Sequence, residues 1–227
     1  MPDLRGVRRT APLPSLHAIV DTVAAARAGW EPVALARAYL EGGARCLQVR
    51  GKDLPSGALL ALCDEVVEAA REVGATVIVN DRPDLARMSG ASGVHVGQDD
   101  LPPADARRIT GPGAVVGIST HDRSQIEAAA REPVTYVAVG PVFETATKDT
   151  GYAARGLELV GEAARHARGR PVVAIGGITL ERVPQVLAAG ATGVAVIGDL
   201  LAGGAPASRA AAFVAALRAA GTPGRQG

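Results

Sequence analysis

The 227 residues are 48% hydrophobic and 21% charged, ordinary proportions for a folded globular protein and too apolar for a disordered one. Lys and Arg total 24 against 23 Asp and Glu, so no broad basic field exists to neutralise a nucleic-acid backbone, and nucleic acid is excluded as an expected partner. The apolar runs are strand-sized, short of the ~20 residues a membrane-spanning helix needs, and the N-terminal stretch lacks the apolar core of a signal peptide; a cytoplasmic protein with no membrane partner is expected.

Residues 1–14, rich in arginine and proline, read as a loose arm, and 221–227 read as a frayed tail. Between them, 15–220 read as one domain. The first strand falls at Leu16 to Val20. A phrase then recurs three times, beginning at Gly43-Ala44, Gly90-Ala91 and Gly190-Ala191, and each copy reads as a glycine helix stop followed by a buried strand. The other strand-like runs are Thr76 to Val79, Ala114 to Ile118, Thr135 to Val139 and Pro171 to Ile175. Helical stretches separate them, at Ser56 to Val73, Pro102 to Ile109, Asp122 to Arg131, Leu157 to Ala167 and Leu180 to Ala188, with a last helix over Gly203 to Ala220. Trp30 is placed before the first helix, and Cys63 and Met88 inside helices. Strands alternating with helices imply a parallel sheet, and eight repeats imply an α/β fold closed as a (β/α)₈ TIM barrel, a six-stranded open sheet being the weaker alternative.

Barrels of this kind gather reactive groups just beyond the C-terminal ends of their strands. Gln48, Arg50 and Lys52 follow strand 2, and strand alternation turns Cys46, Gln48 and Arg50 to the barrel side. Asn80 and Asp81 follow strand 3; Gln98, Asp99 and Asp100 follow strand 4; Ser119 follows strand 5; Thr145, Thr147 and Lys148 follow strand 6. Asp81 and Asp100 end neighbouring strands, so the two carboxylates could share one hard cation, for which Mg2+ is the natural choice. Either could instead cap the helix after it, or the two could work as a general acid and base. Gly176-Gly177 after strand 7 and Ile197-Gly198 after strand 8 offer backbone N–H groups to a phosphate, where simple turn glycines are the alternative. His95 alternates with apolar neighbours and reads as a satisfied core histidine; His121, in a loop, stays open as a catalytic group. Cys46 and Cys63 form no zinc-like cluster and read as reduced core residues. No GxSxG elbow or nucleophilic triad occurs, so a covalent mechanism is not indicated.

Six segments, in order and at barrel-compatible spacing, carry a resemblance. They are Gln48-Val49-Arg50-Gly51-Lys52, Val79-Asn80-Asp81-Arg82, the run from Gly93 to Asp100, Gly117-Ile118-Ser119, the run from Gly140 to Lys148, and Ala174-Ile175-Gly176-Gly177-Ile178. Together they resemble the thiamine phosphate synthase family over strands 2 to 8. That resemblance implies a Mg2+-dependent enzyme joining 4-amino-2-methyl-5-hydroxymethylpyrimidine diphosphate to 4-methyl-5-(2-phosphoethyl)thiazole, with release of pyrophosphate. By similarity, Gln48, Arg50, Lys52 and Asn80 hold the pyrimidine diphosphate, Asp81 and Asp100 bind the metal, and Ser119 and Lys148 contact the diphosphate. Thr145, Thr147, Gly177 and the Ile197-Gly198 backbone hold the thiazole phosphate; Arg50, Lys52, Ser119 and Lys148 form the catalytic set. The chain departs from the family pattern at Gly198, Arg182 and Glu144, where serine, asparagine and proline are common. A related metal-independent thiazole tautomerase and a phosphometabolite-binding regulator without turnover are the rival readings, and retention of both aspartates with Arg50 and Lys52 favours the synthase. Barrels of this size often form homo-oligomers, although the sequence marks no interface.

Overall fold

A computed structural model describes residues 13–145 and 153–221. Eight parallel strands close in sequence order into one barrel. They are β1 (Leu16–Asp21), β2 (Cys46–Arg50), β3 (Thr76–Asn80), β4 (Gly93–Val96), β5 (Val115–Thr120), β6 (Tyr136–Val139), β7 (Val172–Ile175) and β8 (Gly193–Val196). β8 pairs back onto β1 through Leu16 and Val194, which rules out the open sheet. The recurring glycines do act as helix stops: Gly43, Gly90 and Gly190 have φ of 87°, 69° and 110°, backbone conformations that only glycine adopts at little cost.

Around the barrel run α1 (Thr22–Arg27), α2 (Pro32–Glu41), α3 (Ser56–Arg71), α4 (Pro83–Met88), α5 (Pro103–Thr110), α6 (Arg123–Ala129), α7 (Gly156–His166), α8 (Val183–Ala188) and α9 (Pro206–Gly221). Two expectations need correcting. Trp30 follows a first helix instead of preceding it, because Asp21 caps a short helix directly after β1, accepting the Ala24 N–H at 2.8 Å. The last helix begins at Pro206, not Gly203; Gly203 has φ of 73°, and a 3-10 turn over Gly198–Gly204 fills the gap.

One apolar layer, built from residues such as Leu47, Val49, Val77 and Val79, lies between strands and helices. The barrel lumen holds a second set, with Ile19, Cys46, Ile78, Tyr136 and Val173 among it. Cys46 and Cys63 are both buried free thiols, as expected of core residues. At the N-terminal side of the lumen, His17 is only 1% exposed, edge-on to the Tyr136 ring at 5.0 Å, with no hydrogen-bond partner for Nε2 among the described residues. Burial lowers its pKa to about 4, opposed only by a backbone bond to Pro14. The unfolded chain therefore takes up a proton that the folded chain refuses. The stability from keeping His17 neutral is full above its ordinary value of about 6.5 and is lost as pH falls through about 4, by roughly 3 kcal/mol in all. Urea titrations across that window should show His17→Gln losing less stability on acidification than the parent; parallel slopes would contradict a titrating His17.

Candidate active site

The C-terminal rim of the barrel is built by short-range constraints at each strand end. Asp21 closes β1, and while one carboxylate oxygen caps α1, the other accepts from the Arg50 guanidinium at the end of β2. The two side chains are 6% and 15% exposed, so Arg50 is a fixed cation of the rim and not a solvated loop charge. Sequence reasoning passed over Asp21; a polar residue ending an otherwise apolar β1 was the available signal.

Asp81 follows β3 with φ of 63°, a left-handed conformation that Asp and Asn tolerate better than other side chains, and its N–H donates to the His95 carbonyl at 2.7 Å. Its carboxylate accepts from Lys52 Nζ at 2.9 Å and meets the carboxyl of Asp100. Asp100 in turn accepts the Gly97 N–H at 2.7 Å. Burial raises the Asp100 pKa; the Gly97 bond opposes this, and the adjacent Asp81 raises it further. Neither aspartate caps a helix. Arg82 and Pro102 occupy the cap positions of α4 and α5, with no side-chain cap bond at either. The carboxylates therefore face one another across adjacent strands, with the Lys52 ammonium on Asp81. Two such oxygen donors, completed by water and phosphate oxygens, suit Mg2+.

Gln48 is buried and reaches across the lumen to Tyr136. The Tyr136 hydroxyl lies 2.8 Å from His95 Nδ1, and His95 Nε2 lies 2.9 Å from Ser119 Oγ. Gln98 Nε2 donates to the Ser119 carbonyl at 2.6 Å. His95 is thus satisfied, as its pattern suggested, yet it also fixes a rim hydroxyl. Burial drives the Tyr136 pKa up, so the phenol stays neutral and acts as a strut. Asn80 sits half-buried at the end of β3, beside Asp81 and in register with His95.

A cavity of about 360 Å³ opens next to this cluster, lined from β5 to β8 by residues that include Ser119, Thr145, Gly176, Gly177, Ile197 and Gly198. Gln48, Arg50, Lys52, Asn80, Asp81 and Asp100 do not line it; Ser119 joins the two halves. Gly176 and Gly177 have φ of 97° and 60°, and a Cβ on Gly177 would fall 2.5 Å from the Glu144 carbonyl. Both glycines are therefore forced by turn geometry and by the close approach of the loop after β6, which is pinned by Val142 N–H to Ile175 O at 2.9 Å and Phe143 N–H to Gly176 O at 3.0 Å. Among the described residues, no backbone carbonyl accepts from the amides of Gly177 or Ile178. Such donors suit an anion. His121 also lines the cavity, its Nδ1 2.5 Å from the Gly140 carbonyl. Thr147 and Lys148 lie outside the described residues. Arg182, which sequence reasoning noted only as a departure, is among the lining residues too.

The sequence profile described as thiamine monophosphate synthase matches residues 16–200, a span that holds all eight strands. The chain belongs to this synthase family. Its relatives include thiamine-phosphate synthases of Anaeromyxobacter dehalogenans, 44% identical across 93% of this chain and 91% of that one, and of Roseiflexus castenholzii, 43% identical across 91% and 92%. Thiamine phosphate pyrophosphorylase from Pyrococcus furiosus superposes with a TM-score of 0.82 at 28% identity, covering 92% of this chain and 97% of its own. Family membership thus extends over both halves of the rim, the charged cluster and the glycine-lined cavity, and the likeness reaches nearly end to end.

Proposed function

We propose that this chain condenses 4-amino-2-methyl-5-hydroxymethylpyrimidine diphosphate with 4-methyl-5-(2-phosphoethyl)thiazole, giving thiamine phosphate and pyrophosphate. The observation that carries the reading is the meeting of Lys52, Asp81 and Asp100 at the ends of neighbouring strands, beside a fixed Arg50 and Ser119. The C–O bond between the pyrimidine methylene and the diphosphate breaks first, its electron pair leaving with pyrophosphate. The electron-rich aminopyrimidine supports the cation that results, and the thiazole nitrogen then forms the new C–N bond. No nucleophile or base on the protein is needed: Arg50 and Lys52 supply positive charge and Ser119 a neutral hydrogen-bond donor for the departing diphosphate.

Arg50 and Lys52 attract and orient the diphosphate, and Ser119, held by His95, offers its hydroxyl to it. Gln48 and Asn80 flank the pyrimidine. Asp81 and Asp100 would hold Mg2+, which supplies charge neutralisation of the departing diphosphate. Thr145, the Gly177 amide and the Ile197-Gly198 backbone take the thiazole phosphate in the cavity. Thr147 and Lys148 are assigned to the two phosphate groups by the family resemblance alone. The substrates are diffusible and phosphorylated, and no helix among the described residues is long and apolar enough to cross a membrane; a cytoplasmic location fits both.

Purified protein given both substrates should release pyrophosphate with Mg2+ and lose that release in excess chelator. Undiminished turnover in chelator would remove the metal assignment. Metal-free isomerisation of a thiazole carboxylate phosphate would replace the synthase reading with the tautomerase one, and binding without either activity would favour the regulator.

A further inference from the structure

Arg182 stands in a 3-10 turn, Leu180–Arg182, between β7 and α8. Its Nη1 donates to the Gly177 carbonyl at 2.6 Å, and its guanidinium carbon lies 4.2 Å from the centre of the Phe143 ring. Stacking and hydrogen bond together hold the planar group in one place, so little further entropy is lost when it takes a ligand. Other arginines near the rim each carry a carboxylate partner: Arg50 has Asp21, Arg82 has Asp84 and Arg209 has Asp199. Arg182 has no carboxylate partner among the described residues. The acidic groups that share its cavity are Asp199, neutralised by Arg209 at 2.7 Å, and Glu144, which makes no bond to it. An uncompensated cation, half-buried and immobilised in a glycine-lined cavity, matches a phosphate monoester dianion.

From this we infer that Arg182 binds the phosphate of the thiazole substrate directly, and that it sets this chain's preference for the phosphorylated thiazole over the free alcohol. The inference rests on the synthase reading and deepens it. A guanidinium presents five N–H donors in a fork, and one of them is used on Gly177. The rest are left for phosphate oxygens, beside the Gly177 and Ile178 amides, from which no backbone carbonyl accepts among the described residues. Gly198 fits the same picture: with no side-chain hydroxyl on β8's loop, a cation on the neighbouring β7 loop supplies a contact that a serine there would otherwise offer.

Calorimetric titration with 4-methyl-5-(2-phosphoethyl)thiazole, and separately with the corresponding 2-hydroxyethyl compound, tests the inference without turnover. Arg182→Gln should weaken the phosphate by about 10- to 100-fold, the range for a lost charge-assisted hydrogen bond. It should change the alcohol less than twofold and leave the KM for the pyrimidine diphosphate within twofold. Arg182→Lys, which keeps the charge but not the stacked fork, should recover part of the loss. Equal weakening of phosphate and alcohol would mean that Arg182 only braces Phe143 and Gly177, and would overturn the inference, as would no weakening at all. If the parent protein turns over while Arg182→Gln binds normally, Arg182 alone is wrongly assigned. If the parent neither binds the phosphate nor releases pyrophosphate, the synthase reading fails and this inference with it.

Discussion

Asp81→Asn is expected to cut pyrophosphate release by roughly a thousandfold, about 4 kcal/mol of transition-state stabilisation, while leaving the melting temperature within a few degrees of the parent. The choice of asparagine matters because Asp81 holds φ of 63°. Asparagine tolerates that left-handed backbone, whereas alanine would add about 1 kcal/mol or more of strain and confuse a folding defect with a chemical one. Asparagine keeps the shape and one carbonyl oxygen but removes the charge that faces Lys52 at 2.9 Å and Asp100 beside it. Two measurements decide the case: rate at saturating substrates, and the Mg2+ concentration giving half-maximal rate, which should rise by at least about tenfold. Activity within tenfold of the parent and an unchanged Mg2+ requirement would move the cation away from Asp81.

What the sequence made readable was whatever is periodic or local. The three glycine-led phrases announced αL helix stops before strands, and each glycine has the positive φ that role requires. Alternation along β2 placed Cys46 and Gln48 in the lumen, and adjacency of β3 and β4 in chain order brought Asp81 to Asp100. Less visible was anything set by closure. Gln48, Tyr136, His95 and Ser119 come from four different strands, and only the barrel's register says which of their side chains meet inside. Arg182 was legible only as an oddity, because its meaning depends on a ring from the preceding loop. The six-residue helix α1 left too few turns for a helical period to show, which is why Trp30 was misplaced.

Gly117→Ala should be severely damaging for a single added methyl. Gly117 on β5 pairs in register with Tyr136 on β6, and a Cβ there would lie 2.1 Å from the phenol's Cζ. The ring has no room to yield: it is 1% exposed, with His17 edge-on at 5.0 Å and His95 stacked at 5.6 Å. Overpacking of this severity in a closed lumen is expected to cost roughly 3 kcal/mol or more, read as a drop in the urea midpoint, and to release Ser119 from the Tyr136-supported His95. Tyr136→Leu shortens the obstructing side chain. Combined with Gly117→Ala it should recover much of the lost stability, yet the Ser119 support stays broken because the hydroxyl on His95 Nδ1 is gone. The double variant should therefore be more stable than Gly117→Ala while remaining well below the parent in rate. Simple additivity of the two stability losses would show that the glycine is required for some reason other than the ring, since residues in direct steric conflict must couple.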